Sequence, residues 1–347
     1  MQRRQRRKRK QSSSCLVNRT VPQSDGRASM WLYLAALLGL YFLRRWYWER
    51  QTVENLTEKY VFITGCDSGF GNQLARQLDA RGLRVLAACL TQKGAEQLEK
   101  AVSERLKTTI LDVTSTESIE AATEWVKGCV GSKGLWGLVN NAGIANPIGP
   151  TEWLTKDDFL KVLNVNLIGL IDVTLHMSTL VKKARGRVVN MSSIAGRLAI
   201  NAGGYCPSKY GVEAFSDSLR RELRPFGVKV AIVEPGYFRT SMTDAQFHFE
   251  KLEQLWVSVP QEIKESYGQS YFDQYCKMFK DALVAHCSPN LYLVTDCIAH
   301  ALTSEHPRTR YSGGWDAQFF FIPLSYLPTA LADFVLTRSW PQPAQAV

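Results

Sequence analysis

A tyrosine and a lysine one helical turn apart could perform acid–base chemistry in this 347-residue chain. Tyr205 and Lys209 stand at positions i and i+4 of the run Tyr-Cys-Pro-Ser-Lys, a spacing that puts both side chains on one face of a helix. An ammonium group near a phenol favours the phenolate and lowers a pKa that starts at about 10. Tyr205 would then be a usable general base near neutral pH.

A pair of serines precedes this tyrosine, where an apolar segment predicted as a strand ends. Ser192 and Ser193 are adjacent, and strand side chains alternate between faces, so only one of the two can face a site. Ligands of open α/β sheets bind at the carboxyl ends of the strands. One serine is therefore expected beside Tyr205 and Lys209 at that edge.

A glycine-rich run could hold the phosphates of a nucleotide. Residues Thr64 to Gly71 have the sequence Thr-Gly-Cys-Asp-Ser-Gly-Phe-Gly and lie between a predicted strand and a predicted helix. Gly65 permits a tight turn, Gly69 lets the backbone approach a pyrophosphate, and Gly71 allows the helix to pack closely on the strand. The phosphate would meet the free N–H groups of the helix N-terminus. The spacing differs from the standard G-x-G-x-x-G fingerprint, but its context predicts nucleotide binding.

Apolar strands and helical stretches alternate through the middle of the chain. The strands are predicted at Tyr60–Thr64, Arg84–Leu90, Thr108–Val113, Leu135–Asn140, Gly186–Ser193 and Val228–Glu234. The helices are predicted at Gly69–Arg81, Ala95–Leu106, Thr116–Cys129, Asp157–Lys183 and Gly204–Phe226. This alternation indicates a parallel sheet with right-handed crossovers and both faces covered. The sequence therefore predicts an α/β fold, with a single Rossmann-type doubly wound domain at residues 58–315. Within it, residues 241–290 are predicted as a polar, helical and irregular excursion that covers the substrate.

The two ends of the chain differ from this middle. Residues 1–29 hold nine Lys/Arg and one Asp, so the net charge of +10 is mainly a property of the tail. A disordered extension is the favoured interpretation, with nucleic-acid binding, a nuclear signal or contact with anionic lipid as alternatives. Residues 316–347 are apolar and aromatic. This C-terminal region is predicted to contact membrane or substrate. The alternative is that the stretch 311–340 closes the core as a last strand and helix.

A hydrophobic segment at residues 30–50 precedes the predicted domain. Its apolar run, Trp31–Leu43, is shorter than the about 20 residues that cross a bilayer. Arginines and aromatic residues typical of a membrane interface follow it. No small-x-small cleavage site follows, so a retained N-terminal signal anchor is favoured over a cleaved signal peptide. The side of the membrane stays open, because arginines flank both ends of the run.

Several motifs occur together in an order that resembles the short-chain dehydrogenase/reductase family. Besides the glycine-rich run, the serine pair, Tyr205 and Lys209, they are Asn140-Asn141-Ala142-Gly143, Asn166 in Val-Asn-Leu-Ile-Gly, and Pro235-Gly236 with Thr240. The resemblance extends from Lys59 to Arg310. The segments Ile-Thr-Gly-Cys-Asp-Ser-Gly-Phe-Gly and Gly-Gly-Tyr-Cys-Pro-Ser-Lys-Tyr-Gly look like the branch of microsomal retinol dehydrogenases and oxidative 3-alpha-hydroxysteroid dehydrogenases.

The resemblance implies a role for each matching residue. Tyr205 would be the general base for alcohol oxidation, and Lys209 would lower its pKa and hold the nicotinamide ribose. Ser193 would bind the substrate oxygen; it is chosen over Ser192 because it precedes Tyr205 by twelve residues. Asn166 would hold a water molecule of a proton relay. The implied cofactor-binding residues are Thr64, Gly65, Ser68, Gly69, Phe70, Gly71, Asp112, Asn141, Ala142, Gly143, Tyr205, Lys209, Pro235, Gly236 and Thr240.

The same resemblance implies NAD-dependent oxidation of a lipophilic alcohol at the endoplasmic reticulum (microsomal) membrane. The substrate would be a 3-alpha-hydroxysteroid such as androstanediol, or all-trans-retinol. NAD is expected over NADP because Cys89 and Leu90 offer no cation for a 2′-phosphate at the end of the second strand, and Asp67 would repel one.

Other partners and functions follow less directly from the residues. Membrane lipid is an expected partner, a homodimer is left open, and no metal or nucleic acid is expected. The alternatives are a catalytically silent nucleotide-binding scaffold and a nucleic-acid-associated protein that uses the basic tail.

Overall fold

The computed structural model describes residues 26–200 and 203–346, and the chain divides into two units after Trp48. The first unit contains helix α1 (Gly26–Glu49), whose apolar side chains from Met30 onward are exposed. Its 24 residues extend over roughly 36 Å. The helix begins before residue 30, because no helix-breaking residue follows Gly26, so the end of the predicted disordered extension is helical. Residues 1–25 of that extension lie outside the described residues, and the anchoring role of residues 30–50 stays a prediction.

The second unit is built on a seven-stranded sheet with the order β3-β2-β1-β4-β5-β6-β7. All neighbouring strands run parallel. The strands are β1 Tyr60–Thr64, β2 Arg84–Cys89, β3 Lys107–Ile110, β4 Gly137–Asn140, β5 Arg187–Met191, β6 Lys229–Pro235 and β7 Arg310–Gly313. The predicted Rossmann-type doubly wound sheet in a single domain is confirmed, and β7 extends it by one strand. The order reverses between β1 and β4, where such sheets bind ligands.

Helices pack on both faces of this sheet. They are α2 Gly69–Ala80, α3 Gln92–Glu99, α4 Thr116–Val130, α5 Lys156–Leu163, α6 Leu170–Lys183, α7 Tyr205–Leu223, α8 Ala245–Ser258, α9 Gln261–Tyr267, α10 Gln269–His286, α11 Tyr292–Thr303, α12 Ile322–Leu324 and α13 Thr329–Thr337. Alternate residues of β1 enter two separate cores. Val61 and Ile63 pack with residues of α2 and α11, whereas Phe62 packs with residues of α4, α6 and α7.

The long helix predicted at Asp157–Lys183 is present, at Lys156–Lys183. A π-helical turn, Asn164–Gly169, lies within it between α5 and α6. Gly169 packs closely against the loop that follows β3. A Cβ on Gly169 would stand 2.4 Å from Val113 O. Among the described residues, the stretch 156–183 is the one long and apolar enough to cross a membrane. Because Val162, Val173 and Met177 are fully buried, we identify it as a core helix.

Residues 241–290 are helical, as predicted from the sequence, and more regular than the polar, irregular excursion that was also expected. They form the three helices α8, α9 and α10, which share a third core with Trp153. The Trp153 ring lies 4.8 Å from that of Trp256 and 6.0 Å from that of Phe272, between centroids. Aromatic residues spaced for helix packing, rather than local polarity, determine this structure.

The C-terminal region, residues 316–347, contributes little to the core. It contains a π-helical turn, Ala317–Phe321, followed by α12 and α13. Only Ala317, Leu324 and Ala332 among its apolar side chains in the described part are buried, whereas most of the large ones are exposed. The exposed set is Phe319, Phe320, Tyr326, Leu327, Leu331, Phe334 and Trp340. The last strand of the sheet is β7, which lies at the start of the stretch 311–340.

Candidate active site

The glycine-rich run forms a tight turn between β1 and α2. Gly65 and Gly69 have φ angles of +70° and +61°, which L side chains rarely adopt. A Cβ on Gly71 would stand 2.4 Å from Gly65 O and 2.5 Å from Asn141 Nδ2. Among the described residues, no side chain caps the N-terminus of α2, so its first backbone N–H groups are available to a phosphate. The turn, which tolerates no larger residue at Gly71, fits the phosphates of a dinucleotide.

Residues after β4 hold this turn in place. Thr64 Oγ1 accepts hydrogen bonds from the backbone N–H groups of Asn141 and Ala142, both at 3.0 Å. The side-chain amide of Asn141 donates to Thr64 O at 2.9 Å and to Gly65 O at 3.0 Å. The motifs of β1 and β4 thus meet at the point where the strand order reverses. Asn141 acts here through the loop that it supports.

A carboxylate lies at the end of β2, where cofactors are discriminated. Asp67 Oδ2 accepts from Leu90 N at 2.8 Å, and Asp67 Oδ1 accepts from Thr91 N at 3.0 Å and from Thr91 Oγ1 at 2.7 Å. Asp67 comes from the glycine-rich turn and not from β2 itself. At the end of β3, Asp112 Oδ1 accepts from Thr114 N and Thr114 Oγ1 at 2.8 and 2.7 Å.

The loop after β6 approaches the glycine-rich turn from the other side. A Cβ on Gly69 would lie 3.6 Å from Thr240 Cγ2, and Ser68 Oγ lies 2.9 Å from Ser241 Oγ. The Phe70 ring packs edge-on against Phe238, with centroids 5.5 Å apart. Thr240, Ser68 and Phe70 are therefore neighbours, although more than 150 residues separate their motifs in sequence.

Strand β6 ends at Pro235 and is followed by Gly236, a position with no room for a larger residue. A Cβ on Gly236 would overlap the carboxylate of Asp316, at 2.1 Å from Oδ2. That carboxylate accepts a hydrogen bond of 2.7 Å from the N–H of Tyr237. Asp316, which the sequence analysis did not single out, thus fixes the loop that carries Thr240.

Asn166 lies in the π-helical turn and is 1% exposed. Its Oδ1 accepts from Ile144 N and its Nδ2 donates to Ile144 O, both at 2.8 Å, and Nδ2 also donates to Ser208 Oγ at 3.0 Å. Gly143 lies between Asn166 and Lys209: a Cβ there would be 3.3 Å from Asn166 Oδ1 and 3.8 Å from Lys209 Nζ. Asn166 therefore joins the loop after β4 to the helix that carries Tyr205.

The two serines face different neighbours. Ser192 is 4% exposed, and its hydroxyl donates to the backbone oxygen of Lys209 at 3.4 Å. Ser193 hydrogen-bonds the side chain of Tyr205, and its Oγ accepts from Ala195 N at 3.1 Å. The geometry thus brings Ser193, Tyr205 and Lys209 together and turns Ser192 toward the backbone of α7.

Burial dominates the charge states of Tyr205 and Lys209. It raises the pKa of Tyr205 to about 12, although the hydrogen bond with Ser193 lowers it, and it lowers the pKa of Lys209 to about 8. The Lys209 ammonium donates to Met191 O at 2.8 Å and lies 5.6 Å from the centroid of the Tyr205 ring. Desolvation of the phenolate is the largest cause of the raised Tyr205 pKa, so the lower pKa expected from the neighbouring ammonium does not appear in this arrangement.

A cavity with mainly apolar walls opens beside Ser193 and Tyr205. Its apolar side chains come from the loops after β4, β5 and β6 and from α10: Ala145, Ile148, Ile194, Ala195, Ile200, Met242, Phe279 and Leu283. Its few polar side chains include Ser193, Tyr205, Thr243 and His248. Such a cavity suits an apolar molecule with one hydroxyl group. No group of His, Cys, Asp or Glu suited to a metal ion occurs in the part of the chain that the structure describes.

His248 is a cavity residue that the sequence analysis did not identify as functional. It is 3% exposed, with Nε2 2.7 Å from Met242 O and Nδ1 2.9 Å from the Asn146 side chain. Burial lowers the pKa of His248, and each ring nitrogen lies within hydrogen-bond distance of an oxygen, Met242 O or Asn146 Oδ1. No sequence signal distinguishes it, because its partners are distant in sequence.

Comparison with known proteins agrees with this geometry. A family model described as short chain dehydrogenase matches residues 59–251. Human 17-beta-hydroxysteroid dehydrogenase type 6 (Homo sapiens) is 68% identical over 92% of this chain and 100% of its own length. Retinol dehydrogenase 7 of Rattus norvegicus and retinol dehydrogenase 16 of Homo sapiens are 63% and 58% identical, each over 92% of this chain and all of their own length.

Solved structures share the fold. A short-chain dehydrogenase from Streptomyces avermitilis aligns with a TM-score of 0.62 and 27% identity, over 80% of this chain and 95% of its own. A short-chain dehydrogenase/reductase from Burkholderia phymatum, solved in complex with NAD, aligns with a TM-score of 0.61 and 20% identity, over 82% of this chain and 97% of its own.

Proposed function

We propose that this chain, which belongs to the short-chain dehydrogenase family, oxidises the hydroxyl group of a lipophilic alcohol with NAD as cofactor. The substrate class is a 3-alpha-hydroxysteroid such as androstanediol, or all-trans-retinol, since relatives over nearly the whole chain are named as hydroxysteroid and retinol dehydrogenases. One observation carries the proposal: Ser193, Tyr205 and Lys209 meet at the sheet edge beside an apolar cavity. The product is the corresponding ketone or aldehyde.

The reaction needs a proton acceptor and a hydride acceptor. NAD+, when bound, accepts the hydride from the carbinol carbon. The Ser193 hydroxyl donates a hydrogen bond to the substrate oxygen, and Tyr205 takes the hydroxyl proton as general base. Lys209, whose Nζ lies 5.6 Å from the centroid of the Tyr205 ring, would bind the nicotinamide ribose and attract the negative charge of Tyr205 against the effect of burial. Asn166 holds the loop after β4 and a water molecule of the proton relay.

The nucleotide would lie across the ends of β1, β4 and β6. Gly65, Gly69 and Gly71 leave space for the pyrophosphate, with Thr64, Ser68 and Phe70 at its margin. Asn141, Ala142 and Gly143 line the adenine–ribose side, Asp112 the adenine amino group, and Thr240, after Pro235 and Gly236, the carboxamide. The close contacts between these motifs support this assignment.

We expect a preference for NAD over NADP. The Asp67 carboxylate is held at the end of β2 by the N–H groups of Leu90 and Thr91, so its negative charge would face the 2′ position of the ribose. Cys89 and Leu90 supply no cation for a 2′-phosphate. One lost charge-assisted contact corresponds to a preference of about tenfold or more.

Membrane attachment is the second part of the proposal. Apolar side chains along α1 and in the C-terminal region 316–347 are exposed to an unusual degree, which supports lipid as a partner. We propose the endoplasmic reticulum membrane, on either side of it, and a homodimer is compatible with the fold. Glycosylation of Asn55, which begins an Asn-x-Thr sequon, would indicate a lumenal domain.

The alternatives have less support. A catalytically silent scaffold would not need Ser193, Tyr205 and Lys209 together. A nucleic-acid-associated protein would depend on the basic tail, and deletion of residues 1–25 would then abolish salt-sensitive binding to nucleic acid. For the proposed enzyme, the same deletion should leave turnover unchanged.

The decisive test is NADH production by membranes that contain this protein, with NAD+ and either a 3-alpha-hydroxysteroid or all-trans-retinol. Tyr205→Phe should lower kcat by about 10²- to 10⁴-fold because the proton acceptor is lost, while NAD affinity stays unchanged. Tyr292→Phe, on an exposed tyrosine, is the matched control. Full activity of Tyr205→Phe would refute the mechanism, and no turnover of either alcohol despite NAD binding would refute the substrate class.

A further inference from the structure

A buried ion pair adjoins the segment between Ser193 and Tyr205. After Ser193 the chain makes a short 3-10 turn, Ile194–Gly196, and then reaches Arg197. The Arg197 guanidinium donates from Nη1 to Glu234 Oε1 at 3.2 Å. Glu234 is 2% exposed and belongs to β6, immediately before Pro235. Arg197 thus connects the strand-to-helix segment of β5 with the end of the neighbouring strand.

Glu234 keeps a second partner on the opposite side. Arg310 of β7 donates from Nη1 to Glu234 Oε1 at 3.2 Å and from Nη2 to Asp217 Oδ2 at 2.8 Å. Arg310 also pairs with Glu213 of α7. A buried carboxylate requires such partners, and removal of Arg197 alone would leave Glu234 paired with Arg310. Because Arg310 also pairs with Glu213 and Asp217, loss of Arg197 should also lower stability, so the melting temperature has to be measured together with kcat.

The third contact of Arg197 comes from the C-terminal region. Arg197 Nη2 donates to the hydroxyl of Tyr326, and the guanidinium lies 5.3 Å from the centroid of the Tyr326 ring. Hydrogen bonding and cation–π attraction act together here. Arg197 is consequently held between the end of β6 and a residue about 130 positions further along the chain.

The turn before Arg197 packs so tightly that it cannot move independently of the site. A Cβ on Gly196 would lie 2.5 Å from Ser192 Oγ and 2.9 Å from Lys209 O. Ser193 Oγ accepts from the N–H of Ala195 in the same turn. A displacement of this turn would therefore shift Ser193 relative to Tyr205 and press on the backbone of Lys209.

We propose that Arg197 is a positioning residue for the reaction: by binding Glu234 and Tyr326, it holds the turn after Ser193 so that the serine hydroxyl stays beside Tyr205. This inference rests on the proposed alcohol oxidation. Arg197 touches neither substrate nor cofactor in this role. Its effect should fall on the chemical step, since a displacement of about 1 Å at a reacting group can cost 100-fold in rate.

The test compares full-length variants in membranes for kcat, for KM of alcohol and NAD+, and for thermal stability. R197M should lower kcat by about 10- to 100-fold, with KM for NAD+ close to that of wild type. Its melting temperature should also fall, because Glu234 then shares Arg310 with Glu213 and Asp217. R197K, which keeps the charge but loses the planar fork, should recover part of kcat. Y326F, which removes one hydroxyl, should lower kcat by about two- to fivefold. R220M is the control, because Arg220 pairs with Asp217 of the same network without a bond to the turn.

The outcomes separate this inference from the proposed function. A folded R197M enzyme with wild-type kcat would overturn the positioning role, as would an equal loss in R220M. A loss of kcat in step with melting temperature, with no recovery in R197K, would indicate a purely structural residue and also overturn it. If R197M fails to fold, R197K and Y326F test the positioning role: wild-type kcat in both folded variants would overturn it. Absence of turnover in the wild-type protein would instead count against the proposed function.

Discussion

The two sides of the candidate site are held by different kinds of interaction. On the nucleotide side, Gly65, Gly71 and Asn141 fit together through backbone oxygens and N–H groups at 2.9–3.0 Å. On the substrate side, α8 and α10 are held by the ring contacts of Trp153 and its neighbours. The first side relies on backbone geometry and the second on side-chain packing.

This difference has consequences for what each side tolerates. Backbone contacts depend on the presence of glycine and of one amide, so a single methyl group disrupts them. An aromatic cluster spreads its stabilisation over many weak contacts and accepts changes in shape more readily. We therefore expect substitutions on the nucleotide side to remove function abruptly, and those on the substrate side to change stability and substrate fit.

The largest effect is expected at Gly71. In Gly71→Ala, the new Cβ would lie 2.4 Å from Gly65 O, a backbone atom, so the turn must shift and NAD affinity should fall by about 100-fold or more. Gly128→Ala is the control, because nothing lies within 4 Å of its Cβ position and exposed helical alanine is favoured by about 0.5–1 kcal/mol. NAD titration and thermal melting would measure both. Wild-type NAD affinity in Gly71→Ala would contradict the backbone argument.

The next effect concerns the aromatic cluster. Trp153→Ala should lower the free energy of unfolding by about 3–5 kcal/mol, because the ring is 3% exposed and leaves a cavity. It should also raise KM for the alcohol more than KM for NAD+. Val257→Ala on α8, where the side chain is 77% exposed, should change stability by less than about 0.5 kcal/mol. Denaturant unfolding measures the change in stability, and steady-state kinetics measures both KM values. An equal rise in the two KM values would contradict the separation of the two sides.

A smaller effect links Lys209 to pH. Burial lowers the pKa of Lys209 from 10.5 to about 8. Between these two pH values, Lys209 is protonated in the unfolded chain and deprotonated in the folded chain. The free energy of unfolding therefore rises with pH in this range. Relative to Lys209→Met, wild type should gain on the order of 1–3 kcal/mol between pH 8 and pH 10. Denaturant unfolding at both pH values measures this. The comparison ends at pH 10. Burial raises the pKa of Tyr205 to about 12, so the contribution of Tyr205 to stability falls as the pH rises above 10.

The control for this measurement is Lys127→Met, on a side chain that is 45% exposed. Its difference from wild type should not depend on pH in that range. A flat difference for Lys209→Met would mean that the Lys209 ammonium keeps its ordinary proton affinity in the folded protein.

The smallest effect concerns the choice of cofactor. Asp67→Asn keeps an oxygen that can accept from Leu90 N or Thr91 N but removes the charge, so the ratio of kcat/KM for NAD+ to that for NADP+ should fall by about tenfold. Asp296→Asn, at an exposed carboxylate, should leave the ratio unchanged. An unaltered ratio in Asp67→Asn would show that another group discriminates the cofactors.

Most of the fold could be predicted from the sequence because its signals are local. Buried parallel strands such as Val85–Cys89 are continuous apolar runs, and glycines with positive φ mark the turns. The long helix predicted at Asp157–Lys183 is present, but the sequence did not indicate its π-helical turn at Asn164–Gly169, where Gly169 lies close to Val113 O. The aromatic core of α8–α10 also escaped prediction, since Trp153 lies about 100 residues from its partners.

The sequence by itself determined the family of chemistry in this protein. Tyr205 and Lys209 share a helix, the glycines follow a strand, and short-range geometry brings each group into its own motif. Only the tertiary structure decided that Ser193 rather than Ser192 faces Tyr205, that Asp67 lies at the end of β2, and that Arg197 joins β6 to the C-terminal region. These contacts join residues from separate strands. Burial shifts the pKa values of Tyr205 and Lys209 in opposite directions, and it exists only after the chain has packed.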